Sequence, residues 1–241
     1  MRWILSLFGI AAILFAAACE TTREKSARLE AQGQKLAVEG KIELKQTNRD
    51  LQVTDDFLLT DQYGSAVILR VKNKSAKGQV DVPIQVDVKD AKGKSVYKND
   101  TEGLEDGLIH LQIIGPKEET WWVNDQVLAS GKPASFDYEV GVPDGQYPAK
   151  VPEIQVSKPK LEVDPTSGLK VAGTVVNKSS IEQVDLLLYA VATKGGKVVA
   201  AGRGLIPKLK TDGKGEAYNI FFIGDPQGAE IEVFATPTTF G

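Results

Sequence analysis

The sequence predicts an all-β protein: two tandem antiparallel β-sandwiches behind a signal peptide and a polar, partly helical spacer. Apolar and polar residues alternate in run after run, the two-residue period of half-buried strands. Turn residues punctuate the runs. One stretch also occurs twice without a gap. Val71-Lys72-Asn73-Lys74-Ser75 followed by Gln79-Val80-Asp81-Val82 returns as Val175-Val176-Asn177-Lys178-Ser179 followed by Gln183-Val184-Asp185-Leu186. That is the form of two sequential strands joined by a turn. A second match, Trp121-Trp122-Val123-Asn124-Asp125 with Phe221-Phe222-Ile223-Gly224-Asp225, extends the repeat over a whole domain. A chain of 241 residues accommodates two such copies, each of about 100 residues, a usual size for a sandwich.

The leader comes first. Arg2 supplies a positive start, Trp3 to Phe15 are apolar except Ser6 and Gly9, and Ala16-Ala17-Ala18 precede Cys19. Residues 1–18 read as a secretory signal peptide, too short for a spanning helix. The Ala-Ala-Ala-Cys junction, holding the sole cysteine, resembles the lipobox of bacterial lipoproteins. The resemblance implies that Cys19 is diacylated, becomes the new N-terminus and is then acylated again, for example with palmitate. More than one acyl chain is needed because a single chain gives only marginal membrane attachment. From residue 19 to 40 helix formers dominate, but Gly33 interrupts and no apolar stripe forms, so a spacer follows the anchor.

Residues 41–141 form the first expected domain. Ile42, Leu44, Leu51 and Val53 open it in loose alternation, and Ala66 to Lys72 follows with Val67, Leu69 and Val71 on one face. The next strand alternates longest, placing Val80, Val82, Ile84, Val86 and Val88 inward and Asp81, Pro83, Gln85, Asp87 and Lys89 outward. Pro83 cannot donate to a ladder, which favours an edge or bulge site. After a turn at Asp90 to Lys94 come Ser95-Val96-Tyr97, Leu108 to Ile114, Glu119 to Val123 and Ser135 to Val140.

The Pro/Gly-dense residues 142–152 read as a short, stiff linker. Residues 153–241 form the second domain, with strands at 154–163, 169–176, 184–192, 197–201, 205–209, 217–223 and 230–235. Asn73-Lys74-Ser75 and Asn177-Lys178-Ser179 read as turns, because Asn and Ser side chains bond local backbone.

Val171, Gly173, Val175 and Asn177, then an apolar strand with Leu186-Leu187-Leu188-Tyr189-Ala190 and a Gly-Lys-Val turn, resemble the FxLYD-type immunoglobulin-like domain of bacterial and archaeal envelope proteins. Val71, Asn73, Asp90 and Gly93 give the first copy a similar outline. The resemblance implies small immunoglobulin-like sandwiches and brings no catalytic residue.

Composition and motifs narrow the function. Hydrophobic content of 42% and charged content of 25% suit a globular chain. The net charge of −3 is dispersed, leaving no basic stripe for nucleic acid. One cysteine excludes an intrachain disulfide, and one histidine excludes a His-rich metal site. His110 has no neighbouring Cys or second His and reads as structural. Gly202-Arg203-Gly204 and Gly213-Lys214-Gly215 open no helix, so they read as hairpin turns rather than phosphate loops. Asp100, Glu102, Glu105 and Asp106 lack calcium-loop spacing and read as a solvated loop. No catalytic residue, cofactor or metal is expected.

The aromatic pairs are more informative. Neighbours on a strand point to opposite faces, so one of each pair faces out. With Val123 and Ile223 inward, Trp121 and Phe221 fall in the core, and Trp122 and Phe222 outside. Leu187, Tyr189 and Val191 occupy the outward positions that Pro83, Gln85 and Asp87 hold in the first copy. If the third and sixth strands are neighbours, Phe222 joins that trio in an apolar patch, which the other domain, a second copy or an envelope partner must cover. The expected function is therefore a non-catalytic structural or protein-interaction module of the cell envelope, anchored outside the membrane by lipid on Cys19. Its partner is an envelope protein or a second copy. The alternative is a binding lipoprotein that captures a small molecule or glycan between its domains, with Trp122 stacking on it.

Overall fold

A computed structural model describes residues 44, 46–101, 103–143 and 145–240. The leader, Cys19 and the spacer lie outside the described residues, as does Glu102. The protein is all-β, with no α-helix among the described residues.

In the first half, β1 (Leu51–Thr60), β2 (Ser65–Asn73) and β6 (Glu119–Asn124) form one antiparallel sheet in the order β1-β2-β6. The facing sheet is centred on β3 (Gln79–Lys89). One edge of β3 pairs with β5 (His110–Ile114) and β4 (Ser95–Lys98) in succession, and the other with β7 (Ser135–Val140). The inward valines and isoleucine of β3 are all buried, with Leu111 of β5 beside them and Leu69, Val71 and Trp122 of the facing sheet opposite. Pro83 lies in this central strand, but one residue beyond the β7 ladder, which begins at Ile84↔Val140, so its missing N–H costs no ladder bond.

Two asparagines stitch this half. Buried Asn99 fills the gap between β4 and β5: its Oδ1 accepts from Val86 N–H at 2.8 Å, and its Nδ2 donates to Ile84 O at 2.8 Å and Leu108 O at 2.9 Å. Asn73 Nδ2 donates to Lys77 O and Gly115 O, while its Oδ1 accepts from Ser75 N–H. Asn177 repeats this with Ile181 O, Leu209 O and Ser179 N–H. The recurring Asn-Lys-Ser is thus a turn whose buried asparagine side chain replaces missing backbone partners. The correspondence reaches the backbone itself, since Asp81 and Asp185 both take φ 51°.

In the second half, β10 (Gly168–Asn177) pairs with β13 (Gly215–Phe221) on one side, and with β8 (Ile154–Val156) and β9 (Lys160–Asp164) on the other. The facing sheet runs β14-β12-β11-β15, with β11 at Gln183–Lys194, β12 at Lys197–Leu209, β14 at Ile223–Gly224 and β15 at Glu230–Thr236. Val171, Val175, Leu186, Leu188 and Ile220 fill the space between.

The structure corrects four expectations. Segments 197–201 and 205–209 are one continuous strand, β12, because Gly202 and Gly204 lie within it rather than in a turn. The strand at 217–223 does not lie beside β11. Its main part, β13, pairs with β10 in the opposite sheet, and β15 is the neighbour of β11. The aromatic match is also out of register. Trp122 stands opposite Leu69 and Tyr218 opposite Gly173, so the counterpart of Trp122 is Tyr218. Finally, Trp122 and Phe222 are buried in the two sandwich cores, whereas Trp121 and Phe221 are only partly covered. Val123 and Ile223 are apolar because they face the other half, not because they face their own core.

Candidate interaction site

Leu187, Tyr189 and Val191 share one face of β11 as the sequence indicates, and the first half covers that face. They pack with Val198, Ala201 and Ile223 against Ala66, Ile68 and Val123 in a third apolar layer between the halves. The four sheets thus form a stack with three buried layers. The sheet β1-β2-β6 is covered on both sides, which is why Ala66, Val67, Ile68 and Leu69 are successive residues without exposure. Fully burying a Leu-sized side chain contributes about 1.5–3 kcal/mol, so this layer alone outweighs a typical surface contact. Phe222 and Trp122 lie in the neighbouring cores and take no part in the patch.

Polar groups fix the register of this layer. The Arg203 side chain is 4% exposed and reaches Glu105 Oε2 at 2.7 Å and Asp125 Oδ1 at 3.4 Å. Its backbone N–H donates to Asp125 Oδ2 at 2.9 Å. Burial pushes the Asp125 carboxyl up, and the Arg203 guanidinium pulls it part of the way back. Tyr189 is raised by the same loss of water. Further along the layer, Gly224 N–H donates to Asp61 Oδ2 at 2.8 Å.

Two carboxylates of the acidic loop have partners, and the Asp106 side chain is still 60% exposed. Glu105 holds Arg203, while Asp106 accepts from Gln112 at 2.6 Å and pairs with His110 Nδ1 at 2.5 Å. Burial would raise Asp106, but the hydrogen bonds from His110 and Gln112 and the His110 charge outweigh it and hold the carboxyl low. Among the described residues no hydroxyl hydrogen bonds to His110, and no group of three His, Cys, Asp or Glu side chains is placed to hold a metal ion.

Where the halves splay apart, a cleft of about 920 Å³ opens between the β6 edge, the β15 edge and the linker. Trp121, Tyr147 and Phe234 give it aromatic walls, and Glu118, Glu119, Glu153 and Glu232 line it as well. The Arg70 guanidinium lies 5.2 Å from the Trp121 ring centroid and pairs with Glu119 at 2.8 Å and Asp55 at 3.5 Å. Phe57 and Trp121 meet at 6.4 Å, and Phe234 leans on Tyr189 at 5.6 Å. Tyr147 packs against Gly78 so closely that a Cβ there would stand 2.2 Å from its ring.

Sequence reasoning missed Trp121 and the Arg203 network. The signal for the second was present: a charged residue between two glycines inside an apolar run. No protein-family model matches the chain, and a search of curated proteins finds no match.

Proposed function

We propose that the chain is a lipid-anchored, non-catalytic interaction module of the cell envelope, a bacterial lipoprotein whose immunoglobulin-like halves meet another envelope protein. The observation that carries this reading is the buried layer between the halves, where Leu187, Tyr189, Val191 and Ile223 oppose Ala66, Ile68 and Val123. It holds both sandwiches in one orientation, so a surface that spans them keeps a constant shape, and binding there requires little ordering. The leader pattern and the Ala-Ala-Ala-Cys junction supply the export and the anchor. Among the described residues His110 pairs with Asp106 and no hydroxyl bonds to it.

The cleft favours a second reading, capture of a small molecule or glycan between the halves. In that case the stacking role expected of Trp122 passes to Trp121.

Fractionation and in-cell photocrosslinking of wild type and Cys19→Ser test the proposal together. Wild type is expected in the membrane fraction with discrete protein adducts. Cys19→Ser is expected to be released or left unprocessed, and to lose those adducts. A processed Cys19→Ser protein that stays with membranes would sink the anchor. Silence from photoreactive residues placed over the whole surface would sink the interaction role.

A further inference from the structure

We infer that the cleft between the halves is the partner site, and that it receives an extended polypeptide segment bearing basic and apolar side chains. This rests on the interaction reading above and names where and with what the module interacts. Two of the cleft walls are β6 and β15, each the terminal strand of its sheet. A terminal strand leaves backbone N–H and C=O groups unpaired on its outer edge, and an extended segment is the ligand that satisfies them.

The side chains on the two walls repeat one arrangement. On β6, Glu119 is followed two residues later by Trp121; on β15, Glu232 is followed two residues later by Phe234. Residues two apart share a face and lie about 6.5 Å apart along a strand. An extended ligand presents its own side chains at the same spacing, so a basic and an apolar residue two apart meet a carboxylate and a ring on the same wall.

Charge sets the sign of the partner. Four glutamates line the cleft, against Arg70 as its sole cation among the described residues. Arg70 is already held by Glu119 and Asp55, and Glu118 accepts the Gly115 N–H at 2.5 Å. Exposed Glu153 and Glu232 meet no cation among the described residues. Desolvating Trp121, Pro116 and Val151 provides apolar affinity, and the uncommitted carboxylates select against acidic segments and raise the association rate for basic ones. The cleft is partly open to solvent, which suits a passing chain better than an enclosed small ligand.

The test uses the full-length protein in detergent micelles and a labelled peptide of about ten residues containing only lysine and valine, read by fluorescence anisotropy. A control peptide carries glutamate in place of lysine. The lysine peptide should bind and weaken with added salt, and the glutamate peptide should not bind. The double variant Glu153→Gln/Glu232→Gln, changed at exposed positions, should keep its melting temperature and bind the lysine peptide about tenfold more weakly. Equal binding of both peptides, or unchanged binding by the double variant, overturns the inference. Photoreactive residues at Glu232 and at Lys92, at the far end of the first half, separate the two levels of the reading. Protein adducts from Lys92 but not Glu232 remove the cleft and keep the interaction role; silence from photoreactive residues over the whole surface removes both.

Discussion

Arg203 sits between two glycines inside β12, and its guanidinium crosses to Asp125 and Glu105 of the first half. A buried ion pair adds little net stability over an apolar pair of the same shape, but losing one partner leaves an uncompensated charge out of water. Arg203→Met is therefore expected to cost about 3–5 kcal/mol in urea denaturation. Adding Asp125→Asn should recover part of that loss, since the buried charge goes and an oxygen acceptor stays. A single variant within about 0.5 kcal/mol of wild type would show the network to be slack. At this scale the sequence was legible where a side chain bonds its own neighbourhood, as Asn73 and Asn177 do. It was misleading where the partner is remote. Gly-Arg-Gly reads as a turn because glycine marks turns, and nothing local announces Asp125. The Trp121-Trp122 pair was misassigned for the same reason, because Val123 owes its burial to the other half.

The glycines of β12 act on the element. A Cβ on Gly202 would stand 2.0 Å from the Phe221 carbonyl oxygen, and one on Gly204 would stand 2.9 Å from Ile220 Cγ1. β12 thus crosses unusually close to β13 of the facing sheet, and only a residue without a side chain permits it. Gly202→Ala should destabilise by about 1–3 kcal/mol through overpacking. Gly215→Ala, whose Cβ would meet Val176 at an ordinary 3.5 Å, should be nearly neutral. Equal melting temperatures for the two variants would contradict this. Strands with a regular two-residue period, β3 and β11 above all, were legible almost to their ends. β1 was not: its register shifts between Val53 and Asp55, and Thr54-Asp55-Asp56 breaks the alternation at that bulge. The period resumes with Leu58 inward and Phe57 outward, out of step with the run before it.

For the whole molecule, the all-β sandwich class was legible because run after run alternates with the two-residue period of half-buried strands. The way the halves pack was not, because an outward apolar row reads alike whether a neighbour in the same chain or a stranger covers it. The layer between the halves makes a prediction. Leu187→Ser should lower stability by about 2–5 kcal/mol. A fragment beginning near residue 150 should self-associate or bind the complementary first half, because Leu187, Tyr189 and Val191 would face water. A monomeric, fully stable fragment in analytical ultracentrifugation would refute that. The way the chain enters the first half has a mechanical corollary. Residues 46–48 lie beside 140–142, bonded through Asn48 N–H to Val140 O and Val142 N–H to Gln46 O, with Thr47 bridging to Gly141. The arm toward the N-terminus and the linker to the second half thus leave the first sandwich from a single corner. A pull between them loads that small clasp and the layer between the halves, and passes the long strands of the first sandwich by.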